Sequence, residues 1–359
     1  MRASGTTVVM VVPEPAGALG GHLVYDRRLA AELEGRGFAV RLHEARGSFP
    51  FPAEAAVRAL AAALDVLPAG ATVILDNRIG GAVPELVASL APRLRTVLLV
   101  HHPLALEYGL LPEESRTLRV RERTALAHAA AVLVPSRTVR DVLVRDYGVP
   151  PYRLTVAEPG IEPGPVARGS DGGPVRLLSL AAVTARKDHL TLVRALAHLV
   201  DLPWELDIVG SLDHDPLSVR RLREAIRTFG LEARVRLHGE RTGAAREPFF
   251  ARAHLFVSAS RYEGFGMALL EAIARGLPVV ACRGGAVEEV LPPGAALLVP
   301  AGSPAALAEA LARAIRDPGL RRELRAAALA ARDRLPRWDE TVETVIRRLF
   351  AAPPLAAGG

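Results

Sequence analysis

One lysine and two glutamates carry most of the chemistry legible in this chain. Of its 45 Lys and Arg residues, Lys187 is the single lysine. An ammonium is a compact point charge on a flexible stem, whereas a guanidinium forks over a phosphate, so the two are poor substitutes in a tight anion site. Lys187 falls in the turn after an expected strand, Val175–Leu180. Further on, Glu263 and Glu271 are separated by seven residues that include Gly264 and Gly266. The glycines allow a ligand close to the backbone, and a helix starting near Gly266 would aim free N–H groups at an anion. Carboxylates disfavour phosphate but accept well from sugar hydroxyls. A fixed cation, a helix tip and two carboxylates therefore suit a ligand that is both phosphorylated and sugar-bearing.

These residues need a frame that brings loops together. Short β-branched runs alternate with Ala/Leu/Arg-rich amphipathic stretches, which predicts parallel sheets with crossover helices. The expected strands of the first half are Thr7–Val12, Ala39–Leu42, Thr72–Leu75, Thr96–Val100 and Ala131–Val134, with a helix over Tyr25–Arg36 stopped by Gly37. The second half repeats the plan with Val175–Leu180, Glu205–Val209, Arg234–Leu237, His254–Ser258 and Pro278–Ala281. Between them lies the richest Pro/Gly stretch, Glu158 to Pro174, which can extend neither a helix nor a central strand. The expected organisation is a first domain over 1–160, a linker over 161–174 and a second domain over 175–335. A closing helix and tail over 336–359 would be capped by Asp339, with Val342, Val345, Ile346 and Leu349 on one face, packing back towards the first domain. At 359 residues, two domains are the default.

Composition excludes several classes. With 50% hydrophobic and 23% charged residues the chain is globular rather than disordered. Its net charge of +6 is spread among 39 acids without a basic run, which argues against nucleic acid as a partner. Cys282 is the single cysteine, so no internal disulfide can form, and a cytoplasmic location is expected. Val8–Val12, ended by Pro13, is too short for a signal peptide or a span and reads as a buried strand. The absence of an export signal also tells against a periplasmic sugar binder, and Pro13–Gly21 lacks the G-x-G-x-x-G of a dehydrogenase.

The string Glu263 to Glu271 resembles the E-x7-E motif of family 4 glycosyltransferases, retaining enzymes of GT-B architecture that use nucleotide-sugar donors. Arg186-Lys187-Asp188 resembles that family's lysine turn, with Asp188 where glycine is usual. Gly284-Gly285-Ala286-Val287-Glu288 resembles its GGxxE loop, Gly20-Gly21 its N-terminal glycine turn, and His101 the histidine common after the fourth strand. The resemblance implies two doubly wound Rossmann-like domains facing a central cleft. It also implies roles: Lys187, helped by Arg186, neutralises the donor diphosphate, and Glu271 holds the ribose. Glu263 with the backbone of Gly264, Phe265, Gly266 and Met267 engages the transferred sugar and phosphates. His101 touches that sugar, and Gly20 and Gly21 admit the diphosphate. Many relatives carry an arginine five residues before the lysine, where this chain has Ala182. Either Arg186 supplies that charge or the phosphate is held less firmly.

The expectation is a retaining hexosyltransferase using UDP- or GDP-sugar, with no cofactor and no metal. Its acceptor would be a saccharide, a small molecule or a lipid-linked group. A nucleotide-sugar 2-epimerase of the same architecture is the alternative. Asp213-His214-Asp215 has the DxD form of metal-dependent transferases but is discounted, as is a zinc role for His101-His102. Arg116, Arg119, Arg121 and Arg123 follow an apolar loop and could meet a membrane surface, although a solvated helix face is the more ordinary reading.

Overall fold

Strands buried on both faces, their successive side chains entering cores on opposite sides of a sheet, build both halves of the molecule. The computed structural model describes residues 7–14, 20–169 and 172–350. Their contacts separate into two compact units, the first formed by residues up to Gly160 together with those from Pro336 onward, the second by Ile161–Leu335.

The first unit holds β1 (Thr7–Pro13), β2 (Ala39–Ala45), β3 (Thr72–Asp76), β4 (Arg95–Leu99), β5 (Ala131–Val134) and β6 (Leu154–Val156). They form one sheet in the order β2-β1-β3-β4-β5-β6, with every pairing parallel. β1 is flanked by β2 and β3, so the strand order reverses there, and the loops at the carboxyl ends of β1 and β3 diverge. The expected strands stand, most shifted by at most one residue at an end, while β2 runs three residues beyond its expected end. β6 was not expected.

The second unit holds β7 (Val175–Leu180), β8 (Trp204–Val209), β9 (Val235–Leu237), β10 (Leu255–Ser258), β11 (Val279–Arg283) and β12 (Ala296–Pro300). Its order is β12-β11-β10-β7-β8-β9, again all parallel, and here the reversal falls between β7 and β10. Successive residues point to opposite faces. Leu177, Leu255, Val257 and Val280 therefore enter one core, and Leu178, Phe256, Val279 and Ala281 enter the other. Helices cover both faces, which is why these strands read as continuous apolar runs. Each fully buried leucine or valine contributes about 1.5–3 kcal/mol over its exposed state. Cys282 is buried in the first of these cores.

Two expectations change in detail. The described residues of the Pro/Gly segment after Gly160 have no regular structure, yet they are pinned to the second unit. Ala167 donates to the Arg275 carbonyl (2.8 Å) and accepts from Arg325 (2.6 Å), and Arg332 donates to the Gly164 carbonyl (2.6 Å). The last helix, Trp338–Leu349, begins one residue before Asp339, which sits in its first turn rather than at its cap; Glu340 instead accepts from the Arg337 N–H (3.3 Å). This helix lies against the helix Gly21–Gly35, with the Trp338 ring 5.5 Å from that of Tyr25 and Thr341 donating to the Glu158 carbonyl. Among the described residues, no helix is long and apolar enough to cross a membrane.

Gly160 makes this closure possible. A Cβ there would lie 2.2 Å from the Trp338 nitrogen and 2.5 Å from its Cγ. Gly160→Val should cost about 1–3 kcal/mol in chemical denaturation through overpacking. Gly35→Ala, whose added carbon meets nothing within 4 Å, should be neutral or stabilising by up to about 1 kcal/mol.

Candidate functional site

Lys187 follows β7 and Glu263 follows β10, so the two residues flank the reversal point of the second sheet. In doubly wound sheets that is where ligands bind, outside the carboxyl ends of the strands. The Lys187 Nζ lies 2.5 Å from Glu263 Oε1, and Arg186 Nη1 stands 3.7 Å from Glu263 Oε2 while donating to the Tyr262 carbonyl (3.0 Å). Burial opposes the charge on Glu263, but Lys187, Arg186 and a hydrogen bond from Ser260 outweigh it and hold the carboxyl below its usual range. Arg186 thus places a second cation on this carboxylate although position 182 is alanine.

The three loops that follow β7, β10 and β11 are tied together. The Arg261 N–H donates to the Arg186 carbonyl (2.9 Å), and its Nε donates to Asp188 Oδ2 (2.7 Å). Asp188 has φ +47°, a left-handed backbone that explains why glycine is usual there; a short polar side chain with local hydrogen bonds tolerates it. Its carboxylate caps the helix His189–Ala197 through the Thr191 N–H (3.2 Å) and hydroxyl (2.8 Å). On the other side, the Glu263 N–H donates to the Gly284 carbonyl (3.2 Å), and the Ala286 N–H donates to the Glu263 carbonyl (2.8 Å). A Cβ on Gly285 would stand 2.0 Å from the Glu263 carbonyl oxygen. The double glycine is thus a seat for the glutamate loop.

Beyond Glu263 and Gly264, Phe265 buries its side chain in the core, and Gly266, at φ +100°, precedes the helix Met267–Ala274. Glu271 lies in the second turn of this helix. It accepts from Arg246 at 2.9 and 3.2 Å, and burial pushes its carboxyl up against the opposing pull of Arg246 and Arg275. Arg246 was not singled out from the sequence, because it ends a short 3-10 helix 25 residues upstream and only the fold brings it to Glu271. Asp215 turns out to be a cap: it accepts from the Ala185 N–H (3.1 Å) and the Ser218 N–H (2.9 Å) and hydroxyl (2.5 Å).

The first unit has its own polar cluster at its reversal point. His101, after β4, places Nε2 2.9 Å from Asp26 Oδ1 and 3.7 Å from Asp76 Oδ2. Asp26 belongs to the helix Gly21–Gly35 and Asp76 ends β3, and both are buried. Gly20 and Gly21 form the start of that helix, and a Cβ on Gly21 would meet nothing within 4 Å. Residues 15–19 of the glycine turn lie outside the described residues. Burial pushes Asp26 up to about 8, with Asp76 and Arg78 opposing; burial and then Asp26 push Asp76 up to about 7. Burial also lowers His101, and Arg78 adds to that effect against Asp76. Asp26 was legible as an anomaly: it shares the buried stripe of Leu23, Leu29, Ala30 and Leu33 on its helix. His102 turns elsewhere, to Glu107 (3.0 Å).

Residues 165–330 match the family described as Glycosyl transferases group 1, and residues 2–164 match Glycosyltransferase Family 4. The chain is 32% identical over 263 residues to a D-inositol 3-phosphate glycosyltransferase of Acidothermus cellulolyticus, a match covering 67% of this chain and 57% of that relative. In fold it is similar to the sucrose-phosphate synthase of Thermosynechococcus elongatus (22% identity, TM-score 0.82), which covers 97% of this chain and 100% of its own. It is similar too to Anabaena Alr3699/HepE in complex with UDP-glucose (18% identity, TM-score 0.74, 96% and 100%). Two parallel six-stranded sheets of this order are the GT-B fold.

Raised carboxyls in the first unit should make stability fall with pH. Between about pH 4, where a carboxyl of the unfolded chain ionises, and about pH 8, the folded chain holds protons that the unfolded chain has released. Stability is therefore greatest at the acid end of that window and declines towards pH 8. Asp76→Asn removes one such group, so its melting temperature should gain on the wild type steadily from pH 5 to pH 8. A pH-independent difference would show that the pair is ionised throughout.

Proposed function

We propose that this chain, which belongs to the group 1 glycosyltransferases of family 4, moves a hexosyl unit from UDP or GDP to an acceptor with retention at the anomeric carbon. The observation that carries this reading is the Lys187–Glu263 contact of 2.5 Å, with Arg186 alongside, at the reversal point of the second sheet. Cleavage of a sugar from a nucleotide diphosphate puts negative charge on the leaving phosphate and oxocarbenium character on the sugar. What such a step requires is stabilisation of that charge by fixed groups. Lys187 and Arg186 would meet the diphosphate, helped by N–H groups at the start of the helix Met267–Ala274. An arriving diphosphate would draw the ammonium from Glu263, freeing that carboxylate for hydroxyls of the transferred sugar. Glu271, oriented by Arg246, would accept from the ribose. His101 would contact the sugar from the first unit, and Gly20-Gly21 would leave room for phosphate.

No step in this scheme calls for a metal ion, so chelation should leave turnover unchanged. The leaving phosphate would take the acceptor proton on the face it departs, which gives retention. UDP-glucose bound to HepE, a protein of the same fold, favours a UDP-sugar as the first donor to test. The matched relatives are transferases, which favours transfer over epimerisation. The acceptor side falls to the loops of the first unit.

Each fixed cation of this kind is worth about 3–4 kcal/mol to the barrier. Lys187→Ala should therefore lose about 100-fold or more in kcat, and Lys187→Arg should also be impaired. Wild-type turnover in either variant removes Lys187 from the mechanism. Substrate identity can be approached first by thermal shift against UDP- and GDP-sugars, since a specific donor at 100 times its Kd stabilises by about 2.7 kcal/mol. Against the donor so found, Arg246→Ala should raise KM about tenfold or more, the cost of a lost charged hydrogen bond at Glu271. An unchanged KM would exclude Arg246 as the group that orients Glu271.

A further inference from the structure

The first unit places two buried carboxyls and an imidazole where a doubly wound sheet binds ligands. One oxygen from each carboxyl and one nitrogen of His101 all lie within 4.8 Å of one another. Asp26 is 0% exposed and Asp76 2%, and the Oδ2 atom of each has no hydrogen-bond partner among the described residues. Two enclosed carboxylates at this separation cannot both carry charge without a compensating proton or cation. Arg78 supplies part of that compensation from nearby, and its guanidinium makes a further cation in the same enclosure less favourable. A proton is the smaller guest.

The ring of His101 is held firmly. It packs edge-on against Tyr25 (5.4 Å, 81°) and His22 (5.9 Å, 63°), and its backbone N–H donates to Asn77 Oδ1 (3.4 Å). His22 is engaged by Arg78 (2.9 Å), and the Tyr25 hydroxyl donates to the Ala157 carbonyl (2.9 Å). The charged and titratable groups facing the ring are thus Asp26, His22 and Tyr25 from the helix, Asp76 from β3 and Arg78 just after it. Nε2 faces carboxyl oxygens at 2.9 and 3.7 Å, so it is the nitrogen that carries hydrogen. Nδ1 has no hydrogen-bond partner among the described residues, and the ring keeps part of its surface exposed (12%).

We infer that Asp26 and Asp76 hold one proton between them and fix His101 as its Nε2–H tautomer, leaving Nδ1 as the acceptor for a substrate hydroxyl. Asp26 and Asp76 are then positioning residues that act through the ring. The hydroxyl's identity rests on the transferase reading above, whereas the tautomer is a property of this chain alone. An acceptor at Nδ1 takes a hydrogen bond from a sugar or acceptor hydroxyl; the opposite tautomer would present a donor and leave that hydroxyl's proton unmet.

The test uses the full chain labelled with 15N-histidine, with the His101 signals assigned by their loss in His101→Gln. At pH 7 the long-range 1H–15N pattern should be that of a neutral ring protonated at Nε2. Asp26→Asn keeps the shape but can offer an amide N–H to Nε2, so it should convert His101 to the Nδ1–H form. In the same variant kcat should fall about tenfold or more, the scale of one lost hydrogen bond to a substrate hydroxyl. A wild-type ring that is Nδ1–H or imidazolium at pH 7 overturns the inference, as does an Asn variant with an unaltered tautomer or with full turnover. So does stoichiometric binding of Zn2+ to the chelator-treated chain that shifts the His101 signals. Should Asp26→Asn fail to fold, the wild-type spectrum decides alone. If no nucleotide sugar is a donor, the transferase reading fails and the tautomer measurement still stands by itself.

Discussion

The ion pair between Lys187 and Glu263 is the contact on which the chemistry proposed for the second unit turns. Two opposite charges lie 2.5 Å apart and mostly out of water, at 18% and 9% side-chain exposure. Such a pair gives little net stability, because desolvation of both ions consumes most of the Coulomb gain. What it provides is a cation held in place at the point where the sheet's loops diverge. An incoming diphosphate would then compete with one carboxylate rather than order a free side chain, and the entropy of fixing the ammonium has already been spent in folding. The backbone around it is arranged to that end, with Arg186, Arg261 and Ala286 tying three successive loops to one another.

Two departures from the family pattern lie beside this pair. Position 182 is alanine, and Arg186 stands 3.7 Å from the carboxylate that Lys187 contacts. The missing glycine at 188 is answered by an aspartate that accepts the left-handed backbone and uses its side chain as a strut between helix and loop. A glycine would relax the backbone there and leave Arg261 without that carboxylate.

How much of this was legible follows from the range of each interaction. Strand positions were readable because period and flanking turns are local, and both sheets contain every strand expected. β6 and β12 escaped because Leu154–Val156 is three residues long beside two prolines, while Ala296–Pro300 is a half-buried edge whose Ala/Leu content does not favour a strand. The lysine turn and the E-x7-E string were visible as strings, but their meeting is a product of strand order. Arg246 could not be found from local pattern at all. Asp26 could have been, since a carboxylate on the core stripe of a helix needs a partner, and that partner, His101, was already singled out for another reason.

The first unit is assembled from two stretches of chain with the whole second unit between them. During synthesis, the face of the helix Gly21–Gly35 that receives Trp338 emerges long before the tryptophan does. The surfaces of Tyr25 and Gly160 that meet Trp338 must therefore wait uncovered while residues 161–335 are made. A ribosome-bound chain truncated before Pro336 would present that apolar strip to chaperones, and the last helix would act as the clasp that ends their hold.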